Sequence, residues 1–283
     1  MPPWKGTAGC KRVKAMSELE TAIELAVRAG DILLKYYRRS PSVEWKGAGD
    51  PVTVADKSAS TFIVEALKRR FPQDGILCEE EKDDTIRFER PRAWIVDPMD
   101  GTKEFVANLG EFAVMIGLAI ERKSVLGVVY QPTRQKLYYA EAGNGAYLKQ
   151  GQVTRRLWVS LETDPSRMII AVSRSHDSAD AQRIREALEI QQMIRSGSAG
   201  LKVGMICEGK AHLYFHIGPG TNQWDTCAPE AILQEAGGQM TDIAGHPLVY
   251  NIPERRHTHG IIASNSVIHD RVVDVAKKVL TAK

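Results

Sequence analysis

The chain has 283 residues, of which 43% are hydrophobic and 26% charged, with a formal net charge of +3. This is globular composition, with length enough for one large or two ordinary cores. Near-neutral charge argues against a dedicated nucleic-acid surface but leaves room for a local basic pocket for a small anion, and the absence of any run of about 18 apolar residues argues against a membrane span.

Residues 1–14 are basic, rich in Pro and Gly, and lack the apolar core of a secretory signal. A disordered basic tail over 1–15 and a cytoplasmic protein are expected. Ser17-Glu18-Leu19-Glu20 is a capping box. Leu19, Ile23, Ala26, Ile32, Leu33 and Tyr36 follow at helical spacing, predicting a helix from about 16 to 39. Residues 47–50 read as a loop. A second helix, 54–70, stops at Phe71-Pro72, and short strands follow at 75–78 and 93–96. Residues 112–120 and 124–130 read as paired strands. A second pair, 137–141 and 145–149, flanks the turn Ala142-Gly143-Asn144-Gly145. The first half is therefore expected to be α+β, with helices on a mostly antiparallel sheet.

In the second half, strands at 168–172, 211–215 and 260–263 alternate with helices at 180–188, 199–207, 229–236 and 268–280, an α/β pattern. A boundary near Asp164-Pro165 divides the chain into 16–163 and 164–283. The four cysteines, Cys10, Cys78, Cys207 and Cys227, fit neither a zinc motif nor a disulfide framework, so reduced thiols are expected.

The chemistry concentrates in Trp94-Ile95-Val96-Asp97-Pro98-Met99-Asp100-Gly101-Thr102. An apolar strand ends at a carboxylate, and a second carboxylate follows across a proline. Pro98 and Gly101 permit a sharp turn that aims Asp97 and Asp100 at one point. Converging carboxylates repel unless a cation sits between them, and hard divalent ions with oxygen ligands, Mg²⁺ first, suit such a site. Gly101 and Thr102 then open a short helix through Lys103-Glu104-Phe105, whose N–H groups can meet phosphate. The same residues are also ordinary turn chemistry. Asp56 and Asp225 each stand at the start of a helix, where they could be caps. Glu79 and Glu80 close a strand, where they could be part of a solvated charge run.

Taken together, Asp50-Pro-Val-Thr-x-x-Asp56, Glu79-Glu80, Asp97-Pro-Met-Asp-Gly-Thr102 and Trp224-Asp225 resemble the inositol monophosphatase superfamily of metal-dependent, lithium-sensitive phosphatases. The resemblance runs from about Met16 to the C-terminus and implies a layered αβαβα sandwich. It implies two or three Mg²⁺ ions held by Glu79, Asp97, Asp100, Asp225 and the Met99 carbonyl. Asp56 would serve a third metal or its water. Thr102, with Glu79 or Asp56, would orient the attacking water, and Gly101 and Thr102 would hold the phosphate.

Lys103-Glu104-Phe105, Ser173-Arg174-Ser175-His176 and Trp224-Asp225-Thr226-Cys227-Ala228-Pro229-Glu230 look most like the 3′(2′),5′-bisphosphate nucleotidases. That implies adenosine 3′,5′-bisphosphate, and its sulfated form, as substrate. His176, Ser196, Ser198 and Lys202 are the candidates for the nucleotide, with Asp225 near the leaving group. The segment 196–202 could equally be a helix cap with a surface lysine. One departure stands out: between Tyr214 and Trp224, where some relatives carry Arg or Lys, this chain has only His216. Inositol or sugar phosphate is therefore the alternative substrate. A non-catalytic metal-binding relative is a further alternative, though such a protein should have lost Glu79, Thr102 or Asp225. Expected partners are a small phosphate monoester, with no nucleic-acid polymer and no membrane, for a monomer or homodimer.

Overall fold

The structure is a computed structural model that describes residues 16–39, 43–47, 50–174 and 178–282. The expected basic tail lies outside the described residues, as does His176.

The elements stack in five layers. Helices α1 (Glu18–Tyr36) and α2 (Val54–Arg70) form the first. The second is a seven-stranded sheet made in chain order from β3 (Gly75–Cys78), β4 (Arg92–Asp100), β5 (Ala113–Ile120), β6 (Lys123–Gln131), β7 (Lys136–Glu141), β8 (Gly145–Gln150) and β9 (Val153–Arg156). Only β3 and β4 are parallel within it. Helices α5 (Ala199–Cys207) and α6 (Gln223–Glu235) make the middle layer. A five-stranded sheet follows, ordered β11 (Gln192–Ser196), β10 (Ile169–Ser173), β12 (Leu213–Ile217), β14 (Gly260–Ser264), β13 (Gln239–Asp242). Helices α4 (Ala179–Ala187) and α7 (His269–Thr281) cover its far face. A hairpin of β1 (Val43–Gly47) and β2 (Asp50–Thr53) precedes α2; the loop expected at 47–50 falls where the two strands meet, Gly47 and Asp50 being their end residues and 48–49 lying outside the described residues.

Strand periodicity explains the stacking. Trp94 and Val96 face α1 and α2, among Leu25, Leu33, Ile63 and Leu67, while Ile95 between them faces the middle layer. In the small sheet, Ala171 and Tyr214 face the middle layer, and Ile170, Val172, Leu213 and Phe215 face α4 and α7. Residues from both sides of position 164 share the central core. The expected capping box of α1 is present: Glu20 N–H donates to Ser17 Oγ at 3.2 Å, and Ser17 N–H donates to Glu20 at 2.8 Å. Helix α1 ends at Tyr36, short of residue 39.

The largest departure from expectation is α6. It begins at Gln223, ahead of the expected helix at 229–236 and just before Asp225, which was expected at a helix start, and Pro229 lies inside it. An interior proline forgoes the helical bond to the Asp225 carbonyl and crowds that carbonyl, a cost that the packing of α6 in the centre of the molecule offsets. The helix lies close against the large sheet because β5 and β6 present paired glycines, Gly117 opposite Gly127. A Cβ at Gly127 would fall 2.0 Å from the Ala228 carbonyl oxygen, and one at Gly117 would fall 2.7 Å from Cys227 Sγ. This slot sets the height of the helix turn that carries Asp225.

Candidate functional site

Carboxylates reach one cavity of about 410 Å³ from three directions, and Glu79, Asp97, Asp100 and Asp225 all line it. Parallel pairing of β3 with β4 brings Glu79 beside Asp97: Cys78 pairs with Val96, and Glu79 N–H donates to the Val96 carbonyl at 3.2 Å. No sharp turn separates Asp97 from Asp100, contrary to expectation: β4 continues to Asp100 and carries a bulge, with Asp97 opposite Met115 and Asp100 opposite Ala113, and the extra residue brings both carboxylates to one side. Gly101 takes φ +99°, and a Cβ there would meet the Glu111 carbonyl at 2.6 Å, so this position requires glycine. It is followed by the short helix α3 (Thr102–Val106).

Asp56 and Asp225 act as caps and also belong to the site. Asp56 is the third residue of α2, and its Oδ2 accepts from Thr53 N–H and Oγ1, both at 2.7 Å. Its Oδ1 accepts from Thr102 Oγ1 at 3.1 Å. Asp225 occupies the same place in α6, with Oδ2 accepting from Asn222 N–H at 2.6 Å. In each case the cap fixes one carboxylate oxygen and so orients the other.

Oxygens of Asp97, Asp100 and Asp225 come within 4.8 Å of one another. Asp97 Oδ1 accepts from Met99 N–H at 2.9 Å, and Asp100 Oδ2 accepts from Ser198 Oγ at 2.5 Å and Gly200 N–H at 2.9 Å. Burial pushes the pKa of Asp97 well above the usual carboxylate range, and the charges of Glu79, Asp100 and Asp225 push it further. Burial does the same to Asp225, reinforced by Asp100 and Glu79. Asp100 is raised by burial too, against the opposing pull of Lys202 and Ser198. Buried like charges arranged this way are unfavourable until a cation enters. An all-oxygen set of carboxylates, with the Met99 carbonyl in the same bulge, has the donor chemistry of Mg²⁺. Glu79 lines the cavity beside this triad.

The predicted substrate residues divide. Gly101 and Thr102 line the cavity, and Thr102 Oγ1 lies within hydrogen-bond reach of both Asp56 and the Met99 carbonyl, at 3.1 and 3.2 Å. Ser198 caps α5 by accepting from Leu201 N–H at 3.1 Å, while its hydroxyl proton goes to Asp100. Lys202 is 3% exposed, donates to the carbonyls of Gly197 and Ser198 at 2.6 and 3.0 Å, and lies over the Tyr214 ring. Its ammonium braces the loop that holds Asp100. Ser196 is buried at the end of β11. Cys78 and Cys227 are buried thiols, and burial pushes Cys78 up to about 12.

Polar cavity residues without a role assigned from the sequence include Arg174, Asn222 and Arg256. Arg174, noted only as part of a motif, forms a bidentate pair with Glu111 at 2.6 and 2.7 Å, and Glu111 also accepts from Gly197 N–H. Asn222 was recognisable as a cap three residues before Asp225. Arg256 sits in the polar run Glu254-Arg255-Arg256-His257, which gives no local signal of a site.

Comparison with known proteins identifies the family. The inositol monophosphatase family pattern matches residues 15–281. The 3′(2′),5′-bisphosphate nucleotidase CysQ of Salmonella typhimurium is 37% identical over 235 residues, covering 82% of this chain and 93% of that protein. Among solved structures, the Thermotoga maritima IMPase superposes with a TM-score of 0.81 at 30% identity, over 94% of this chain and 99% of its own. CysQ of Bacteroides thetaiotaomicron gives 0.74 at 33% identity, over 87% and 96%. The chain belongs to the inositol monophosphatase family of phosphatases.

Proposed function

We propose that the protein is a Mg²⁺-dependent phosphomonoesterase that removes the 3′-phosphate of adenosine 3′,5′-bisphosphate, and of its sulfated form, leaving AMP and phosphate from the former. The observation that carries this reading is the meeting of Asp97, Asp100 and Asp225 within 4.8 Å, beside the Asp56–Thr102 hydrogen bond. The similarity to CysQ proteins supports the choice of nucleotide.

Glu79, Asp97, Asp100, Asp225 and the Met99 carbonyl would hold two or three ions. When bound, these supply positive charge to the phosphoryl oxygens and acidify water. The chain's own residues do the positioning. Thr102 has one hydroxyl proton, directed to Asp56 or to the Met99 carbonyl, so its lone pairs can accept from a water and aim it at phosphorus. Asp56, fixed by Thr53, holds that hydroxyl in place. The first N–H groups of α3 have no intrahelical acceptor and are suited to phosphate oxygens. A water held by Thr102 suits direct displacement at phosphorus, with no covalent phosphoenzyme implied. Asp225 would lie near the leaving ester oxygen. Three buried thiols are consistent with a reducing, cytoplasmic setting.

Phosphate release with Mg²⁺, comparing adenosine 3′,5′-bisphosphate with inositol 1-phosphate by kcat/KM, tests the reading. A strong preference for the nucleotide is expected. Preference for the inositol ester would overturn the nucleotide assignment while leaving the carboxylate chemistry in place.

A further inference from the structure

Four cationic side chains line the cavity: Lys103, Arg174, Lys202 and Arg256. Arg174 is committed to Glu111, and Lys202 to two backbone carbonyls. Lys103 stands on α3 next to Thr102, at the carboxylate end. Arg256 differs from all of these. It is exposed, and among the described residues its guanidinium has neither a carboxylate partner nor a hydrogen-bond acceptor.

Its backbone, by contrast, is held tightly. Gln223 N–H donates to the Arg255 carbonyl and His257 N–H to the Thr221 carbonyl, both at 2.8 Å. Gln223 Nε2 donates to the Glu254 carbonyl at 2.7 Å, and Thr226 Oγ1 pairs with His257 Nε2 at 2.8 Å. Arg256 thereby forms a bridge with Asn222, the residue that caps Asp225. A cation is mounted on the same helix start that supplies a metal ligand, facing the same cavity. The segment from β12 into α6 contributes only a histidine, His216, so the cation comes from a different loop.

We propose that Arg256 binds the second phosphate of the substrate, the one that is not hydrolysed. The proposal rests on the nucleotide reading above. A guanidinium presents a planar fork matched to phosphate oxygens, and a phosphate held by the carboxylate-bound ions would leave the rest of a bisphosphate extending toward the rim. With no intramolecular anion to release first, Arg256 meets the ligand without breaking a bond. Its role is to select for substrates with two phosphates; it takes no part in the chemistry at phosphorus.

The test compares adenosine 3′,5′-bisphosphate with adenosine 3′-phosphate, which lacks the distal group, in the natural protein, Arg256→Ala and Arg256→Lys. The natural protein should prefer the bisphosphate. In Arg256→Ala the ratio of the two kcat/KM values should fall by about tenfold to a hundredfold, through KM of the bisphosphate and not through kcat. Arg256→Lys should recover part of that ratio. If the natural protein prefers the bisphosphate and Arg256→Ala retains the full ratio, the role of Arg256 is refuted while the nucleotide reading stands. An equal loss on both substrates would mark Arg256 as structural and refute the role as well. A natural protein indifferent to the second phosphate would overturn both proposals.

Discussion

Replacing Gly127 by Ala should damage both stability and catalysis, because the new Cβ meets backbone and not a mobile side chain. It would stand 2.0 Å from the oxygen, 2.8 Å from the carbonyl carbon and 2.9 Å from the Cα of Ala228, where ordinary contact begins at 3.4 Å. Relieving the shortest contact by rigid displacement takes about 1.4 Å, the difference of 3.4 and 2.0 Å. Only α6 or β6 can provide it. Helix α6 is also tied down here by Ser124 Oγ, which donates to the Cys227 carbonyl at 2.6 Å. Overpacking of this kind costs about 1–3 kcal/mol. Ala228 lies less than one turn from Asp225, so most of the shift reaches the carboxylate, and a misplacement of about 1 Å costs on the order of 10²-fold in rate. Denaturant unfolding and Mg²⁺-dependent phosphate release on the same preparation would measure both. A Gly127→Ala protein with natural stability and natural kcat would refute the idea that the glycine slot sets the position of Asp225.

Thr102→Val preserves shape and removes the hydroxyl between Asp56 and the Met99 carbonyl; kcat should fall by about 10²-fold or more while Mg²⁺ affinity holds, and an unchanged kcat in steady-state assays would exclude Thr102 from aiming the water. Burial lowers His257 from 6.5 to about 4, so the fold favours its neutral form. That contribution is complete above pH 6.5 and is lost as pH falls toward 4, reaching about 2 kcal/mol of lost stability at pH 5. Urea unfolding at pH 7 and pH 5 should show a smaller acid loss in His257→Gln than in the natural protein, and equal losses would contradict the shift.

What the sequence made visible depended on how local the signal was. The long helices and the antiparallel first half follow from periodicity and caps within a few residues, whereas the sharp turn expected at Asp97–Asp100 is a bulge within β4 that only the register against β5 reveals. The competing readings of Asp56 and Asp225, as cap or as functional carboxylate, do not exclude each other, since a cap uses one oxygen and leaves the other. Edge and polar strands were missed: β9 is wholly exposed, and β11, Gln192–Ser196, carries its apolar residues without alternation. The stretch 229–236 and the helix expected after Asp225 are one element, because tertiary packing carries α6 straight through Pro229. Lys202 was read as a substrate cation or else as a surface lysine, but it is buried and its two carbonyl partners lie on the turn before α5, a contact that spacing alone does not reveal. The Gly117–Gly127 slot required the strand register, and Arg256 required the return of a distant loop to α6.

The most direct test of the central claim is a calorimetric titration with Mg²⁺ of the natural protein and of Asp225→Asn, whose capping oxygen is kept as an amide oxygen. Three converging carboxylates predict saturable binding to the natural protein and at least a roughly tenfold weaker affinity in the variant. No binding to the natural protein, or equal affinity in both, would contradict the assignment of this cavity as a metal centre.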